Sequence, residues 1–348
     1  MKFDWKSVLG LVITVALLWW IFRQEDPVEI WHHIRGADFG LLFLAVAITT
    51  AGFAVRALRW RYFLEPIQPD SRFRPRFEAV CIGFMSNNLL PARVGEFTRA
   101  YAYGRLEGVP VTAVLATLVV ERVLDGLAIM GLLVVAVLAP SFPAETLPPA
   151  VLGGIRWVTA SIGGLLLVVL ALILMPEITL RMVAGVARRF LPKTWADRTE
   201  AVAHAFLQGL SSLKNPRLLT LGLLWSVGFW IFHSVSFWVG LRAFDIHLPF
   251  AAALFLNGTI AMAVSVPAAP GFFGTFHLGV KLALVDVYGV LTGPALGFAF
   301  GWHLGAFIPV TLMGLWYARK LGLSLGQMAS EGRRGAPGDR GEMAPQNS

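Results

Sequence analysis

Charge is scarce in this chain. Asp, Glu, Lys and Arg make up 14% of its 348 residues, against 56% hydrophobic, where an ordinary soluble domain carries about a quarter charged residues. That deficit excludes a water-soluble globule, because even a large core needs more charge than this to cover its surface. The mean hydropathy of +0.67 agrees, and the solvent for most of the chain is lipid. Cysteine is nearly absent: Cys81 alone excludes an intramolecular disulfide and a cysteine-based zinc site. The chain has no glycine loop ending in Lys for a nucleotide phosphate, no His-Glu-x-x-His and no nucleophile elbow. An ATP-driven pump and a soluble-type hydrolase therefore lack support, and no catalytic residue, metal ligand or cofactor is assigned. Acidic residues are outnumbered, 21 against 29 Lys and Arg, for a formal +8. In a membrane protein that excess reads as cytoplasmic loop charge and attraction to anionic lipids, not as nucleic-acid binding.

What the chain does have is long apolar runs. Met1–Phe22, Phe39–Ala57, Val111–Ala139, Val151–Met175, Leu218–Leu241 and Pro294–Ala318 each approach the roughly 20 residues that cross hydrocarbon. They predict six spans in an all-α, polytopic membrane helix bundle. Met1–Phe22 lacks a small-residue cleavage pattern and reads as a retained span. Two further regions, Phe77–Val109 and Phe250–Tyr288, are broken by Pro and Gly. The arginine-rich stretches Arg56–Arg76 and Arg181–Arg217 belong in the cytoplasm, whereas Pro140–Ala150 carries no Lys or Arg and suits the outside. Parity then closes only if each broken region enters and leaves on one face, the first cytoplasmic and the second outer, with both termini cytoplasmic.

Two broken helical hairpins dipping from opposite faces, each between full spans, are the pattern of an inverted-topology repeat. Pro91-x-x-x-Gly95-x-Phe97 and Pro270-x-x-x-Gly274-x-Phe276 share one spacing at the two breaks. The predicted membrane domain covers residues 1–320, with repeat halves at about 39–139 and 217–318 joined by a span and membrane-lying cytoplasmic helices at 150–216; residues 321–348 read as a disordered cytoplasmic tail.

The first hairpin concentrates polar residues where lipid is expected: Asn87, Asn88, Arg93, Glu96 and Arg99. Each charge at that depth costs about 2.5 to 3.5 kcal/mol, so such groups face a cavity or a partner. Pro91 suits the first turn of the second limb, whose positive end together with Arg93 makes a candidate anion site. Glu96 and Arg99, three residues apart, can pair on one face. In the next span Glu121 and Asp125 share a face, with Arg122 about a hundred degrees away. The two carboxylates could bind a cation, relay protons or pair with the hairpin arginines. The second hairpin offers Gly271, Gly274 and His277 at its break; a lone helical His is more often a packing residue than a ligand.

Asn88-x-x-Pro91-x-Arg93-x-Gly95-Glu96-x-x-Arg99, Glu121-Arg122-x-x-Asp125 and Pro270-Gly271-x-x-Gly274 together resemble the flippase-like membrane proteins of the lysylphosphatidylglycerol synthase transmembrane family. The resemblance runs to about Lys320, departs from the usual pattern at Ala92 and His277, and lacks the aminoacyl-transfer domain of bifunctional members. It implies a lipid translocase in a bacterial or archaeal plasma membrane, handling an anionic or glycosylated lipid such as a phospholipid, polyprenyl-linked or hopanoid-pathway lipid. Anionic membrane lipids and lipid-biosynthetic enzymes are the implied partners; the oligomeric state is left open. The candidate residues at the substrate are Asn88, Arg93, Glu96, Arg99, Glu121, Arg122, Asp125, Gly271, Gly274 and His277. The alternative is a membrane-embedded accessory or lipid-modifying enzyme using Glu121 and Asp125 as base or metal ligands.

Overall fold

The computed structural model describes residues 27–90, 93–145, 216–265 and 270–324, with isolated positions within 12–19 and 147–189 and at 326. Its described residues form nine α-helices and no strand. A short helix α1 (Pro27–Arg35) leads to α2 (Phe39–Leu64), then α3 (Phe73–Leu89), α4 (Gly95–Glu107) and α5 (Val111–Leu138). After the interval that holds the isolated positions come α6 (Pro216–Ala243), α7 (Phe250–Ser265), α8 (Thr275–Val280) and α9 (Thr292–Lys320). A 3-10 turn, Pro270–Phe272, precedes α8, and a π-helical turn, Lys281–Val287, extends it.

The helices start and stop for local reasons. Asp38 caps α2, its Oδ1 accepting from the backbone N–H of Gly40 at 2.8 Å and of Leu41 at 3.0 Å. The chain leaves α7 and enters α8 through Gly271 (φ 75°) and Gly274 (φ 85°), left-handed conformations open to glycine at little cost. Arg93 takes the same region, φ 53°, at the tip between α3 and α4, so the second limb begins at Gly95. That is later than the expected start near Pro91, which lies outside the described residues.

Among the described residues, three helices are long and apolar enough to cross a membrane: Phe39–Leu64, Arg217–Ala243 and Thr292–Lys320. Their outward side chains are large and apolar, with Phe43 75%, Leu312 62% and Trp316 70% exposed. Such surfaces in water would be a large hydrophobic patch; here lipid solvates them, and the chain is an integral membrane protein. Three of the six expected spans thus meet the length and polarity requirement. Val111–Leu138 is one continuous helix of 28 residues, set apart by its charged middle. The expected spans Met1–Phe22 and Val151–Met175, the helices at 176–216 and the tail lie essentially outside the described residues.

Both broken regions are present. α3 and α4, at 17 and 13 residues, and α7, at 16, each fall short of the roughly 20 residues of a full crossing. α3 and α4 press together at two glycines: a Cβ on Gly83 would sit 2.8 Å from Arg99 Cβ and 2.9 Å from the Gly95 carbonyl. At the far end of this hairpin, Arg72 donates to Glu107 at 2.9 Å and the Tyr103 hydroxyl to Gln68 at 2.6 Å.

The packing partners follow a regular scheme. α2 lies against α6, α3 against α9 and α5 against α7; α2 also touches α3 and α9, as α6 touches α7 and α5. Exchanging α2, α3 and α5 with α6, α7 and α9 maps this set onto itself. One buried cluster, including Trp60, Phe63, Ile82, Met85, Tyr103 and Leu118, surrounds the first hairpin. Another, including Phe237, Phe255, Phe276, Phe298 and Trp302, surrounds the second.

Candidate functional site

The middle of α5 carries Glu121 and Asp125 one turn apart on the face turned inward, both buried. Arg99 of α4 meets Glu121 in a two-pronged pair, Nη1 to Oε1 and Nη2 to Oε2 both at 3.0 Å. Arg59 of α2 reaches both carboxylates, with Nη2 3.0 Å from Glu121 Oε1 and 3.1 Å from Asp125 Oδ2 and with Nη1 on Asp125 Oδ1. Paired guanidinium and carboxylate planes suit this geometry, each contact being both a charge pair and a hydrogen bond. Ser226 of α6 accepts from Arg59 at 3.0 Å, and the Trp230 indole N–H donates to Asp125 at 3.0 Å. The guanidinium of Arg99 lies 3.8 Å from the centroid of the Trp60 ring, and the Trp60 indole N–H is held by Thr117 at 3.1 Å. Arg59 and Arg99 are 0% and 1% exposed.

One end of this network is open. Arg122 and Glu96 have side chains 39% and 30% exposed and approach to 3.6 Å. Arg122 also bends back onto the network, 2.5 Å from Glu121 and 3.4 Å from Asp125. Arg56 completes it from α2, 3.8 Å from Asp125. Its guanidinium sits among aromatic rings, 4.1 Å from Phe229, 4.9 Å from Phe84 and 5.2 Å from Trp230.

Five of the residues read from the sequence therefore meet in one place: Glu96, Arg99, Glu121, Arg122 and Asp125. Their pairing differs from the expected one. Glu96 and Arg99 do not pair with each other, because Arg99 points into the α4–α5 contact toward Glu121 while Glu96 faces Arg122. Arg122 does not stand apart; its long side chain spans the turn to both carboxylates. Arg56 and Arg59, expected in a cytoplasmic loop, lie inside α2 and are buried. Their spacing of three puts them on one helix face, which is the signal that could have identified them. Ser226 and Trp230, four residues apart, likewise share a face of α6.

The remaining residues belong to the meeting of the two hairpins. Arg93 donates from Nη1 to the Ser265 carbonyl at 3.3 Å and from Nη2 to the Val264 carbonyl, and its guanidinium lies 5.1 Å from the Phe272 ring centroid. The tip of the first hairpin thus caps the last turn of α7, where the carbonyls lack helical partners and a cation is favoured. Asn88 ties the end of α3 to α9 through Thr311 at 2.8 Å, and the neighbouring Asn87 accepts the Gly95 N–H at 2.9 Å, taking up a free amide of α4. Gly271 and Gly274 shape the opposing turn. His277 is fully buried, and neither ring nitrogen has a hydrogen-bond partner; its neighbours are Phe300, with centroids 3.9 Å apart, and His303 at 5.4 Å. Among the described residues no three His, Cys, Asp or Glu side chains could hold a metal ion.

Comparison with known proteins gives the architecture relatives. The family model described as the lysylphosphatidylglycerol synthase TM region matches residues 7–314. A glycosyltransferase, AglD, of Haloferax volcanii is 25% identical over 319 residues, which are 84% of this chain and 50% of that protein. A UPF0104 membrane protein of Methanothermobacter thermautotrophicus is 33% identical over 143 residues, 40% of each chain. Another, MJ1595 of Methanocaldococcus jannaschii, is 27% identical over 122 residues, 34% of this chain and 36% of that one. The chain spans half or less of the length of these relatives.

Proposed function

Because the chain belongs to the family of the lysylphosphatidylglycerol synthase transmembrane region, we propose that it moves an anionic or glycosylated lipid between the leaflets of a membrane. The headgroup passes through the interior between the two hairpins while its acyl chains stay in lipid. The observation that carries this reading is the buried network of Arg59, Arg99, Glu121 and Asp125 beside the first hairpin, whose tip reaches the second through Arg93. Ionisable groups at membrane depth are costly, and a polar lining for a headgroup is a physical reason to keep them. Hairpin limbs shorter than about 20 residues favour hairpins that re-enter over hairpins that cross. Together with the exchangeable packing of α2, α3, α5 with α6, α7, α9, this supports two inverted halves, 39–139 and 217–318, that rock against each other to open on alternate faces. The host is a bacterial or archaeal plasma membrane, with both termini cytoplasmic by the distribution of Lys and Arg.

The relative AglD is called a glycosyltransferase, and that name puts lipid-linked sugars beside phospholipids as cargo. The enzyme alternative is weakened by the site itself: each carboxylate oxygen of Glu121 and Asp125 is held by a guanidinium or indole N–H, which leaves no free base. Liposomes containing the purified protein and fluorescent phosphatidylglycerol, phosphatidylethanolamine or polyprenyl phosphate test the proposal. Faster loss of inner-leaflet protection for at least one lipid, against protein-free vesicles, is expected. Equal rates for all three overturn it for these cargoes.

A further inference from the structure

The charged network does not balance. Four guanidinium groups, of Arg56, Arg59, Arg99 and Arg122, contact three carboxylates, of Glu96, Glu121 and Asp125, so one positive charge is left over. The geometry shows where. Glu121 is taken by Arg99, Arg59 and Arg122, and Asp125 by Arg59, Arg122 and Trp230, all at hydrogen-bonding range or close to it. Arg56 stands off at 3.8 Å from Asp125 Oδ2. It is 6% exposed, and its buried Nη1 makes no hydrogen bond. Three aromatic faces surround its guanidinium, from Phe84, Phe229 and Trp230. They attract a cation but accept no conventional hydrogen bond from it. A buried cation that shares its one counter-ion with two other arginines is under-compensated, and the imbalance calls for an anion from outside the chain.

We propose that Arg56 and Arg122 form a seat for a monoanionic phosphate ester, one negative charge that neutralises the surplus of the network. The proposal rests on the reading above, that a lipid headgroup enters here, and specifies which charge it carries and where it sits. Both arginines approach Asp125 Oδ2, Arg122 at 3.4 Å and Arg56 at 3.8 Å. Arg122 is the exposed member, so an anion arriving from the open end meets it first and Arg56 second. The Arg122 Nε, 3.6 Å from Glu96, and the Arg56 Nη1, 3.8 Å from Asp125, stand off their carboxylates without a hydrogen bond, and two guanidinium groups with donors held only at that range suit the several oxygens of a phosphate. A dianion overfills the count and a zwitterionic headgroup carries its own cation, so a phosphodiester with an uncharged alcohol fits best. Arg59 and Arg99, each with both Nη atoms on carboxylate oxygens, hold the network in place.

The test is binding by the full-length protein in a neutral detergent, read as a Tm shift on titration. The probes are phosphatidylglycerol, diacylglycerol with the same acyl chains, and inorganic phosphate. Phosphatidylglycerol should raise Tm and diacylglycerol should not; Arg56→Gln should weaken the phosphatidylglycerol response about tenfold or more, with Arg56→Lys between the two. An Arg56-dependent shift with inorganic phosphate as well means the phosphate alone is read and also supports the seat. In the absence of lipid, Arg56→Gln should be as stable as the parent or more so, because it removes the surplus charge. The proposal is overturned if Arg56→Gln responds like the parent, if diacylglycerol matches phosphatidylglycerol, or if Arg56→Gln fails to fold, which would make Arg56 a structural member of the network. Arg56-dependent binding without any lipid movement in vesicles keeps the seat and removes translocation. Lipid movement with Arg56-independent binding removes only the seat.

Discussion

The first hairpin delivers Glu96 and Arg99 to a network that joins α2, α4 and α5, whereas the second, from Phe250 to Tyr288, has no Asp, Glu, Lys or Arg before Lys281, which pairs with Asp286 at 3.7 Å in its closing π-helical turn. At its break it packs aromatic rings around two histidines, with Phe276 stacked 4.4 Å from His303 and Phe300 close on His277. The same arrangement of broken limbs therefore carries two kinds of interior. Charges at depth are costly unless partners offset most of them, so the first hairpin is held largely by complementary charge and the second by shape. A headgroup crossing between them would exchange an ionic environment for a neutral one. Among the described residues the two are linked by Arg93, whose side chain bonds to the backbone of the second.

The largest effect is expected at the ionic side. Glu121→Gln leaves Arg99 and part of Arg59 facing an amide in a buried setting. Unpairing a buried charge costs about 3 to 5 kcal/mol, so thermal melts in detergent should show a fall in Tm far beyond that of any substitution in the second hairpin. A melt within error of the parent would mean that the network is solvated and holds nothing together.

A smaller effect belongs to the joint. Arg93→Ala removes two charge-assisted bonds to the last carbonyls of α7, each worth at most about 1.5 to 3 kcal/mol. Expression should be intact and lipid movement in vesicles impaired, because the capped end of α7 is what the first hairpin grips. The smallest effect lies at the neutral side. The His277 ring nitrogens are orphaned in this state, and an unmade buried hydrogen bond costs about 1 to 3 kcal/mol, so His277→Leu should hold or raise Tm. Retained stability with slowed lipid movement would assign His277 to the cargo path; a clear fall in Tm would show that the ring is hydrogen-bonded in the membrane.

The outline of this molecule was legible because it depends on simple local signals. Apolar length gave α2, α6 and α9, and Pro and Gly within apolar runs gave both hairpins. The four-residue spacing of Glu121 and Asp125 put both on one face of α5. Pairing was less legible, because it depends on which helices touch. Glu96 and Arg99 have the spacing of a helical ion pair, yet the close approach of α4 to α5 gives Arg99 a better partner in Glu121. Arg56 and Arg59 were hidden by a rule that usually works: arginines after an apolar run mark the cytoplasmic end of a span. Here α2 continues as a helix to Leu64, so the same residues turn inward and their charges are met by α5. Nothing in a single sequence pairs α2 with α5, and so the four-arginine network could not be assembled before the fold was known.

The central claim is that the two hairpins meet at their tips and that their relative motion carries lipid across. Cysteines replacing Arg93 and Ser265 in a Cys81→Ser background, joined by a short reducible crosslinker in proteoliposomes, test it in one measurement. Because Arg93 is lost in this variant, its lipid movement before crosslinking is the reference. Efficient crosslinking that stops the remaining movement, with recovery on reduction, is the predicted result. No crosslinking under any condition, or undiminished lipid movement with the tips joined, would contradict it.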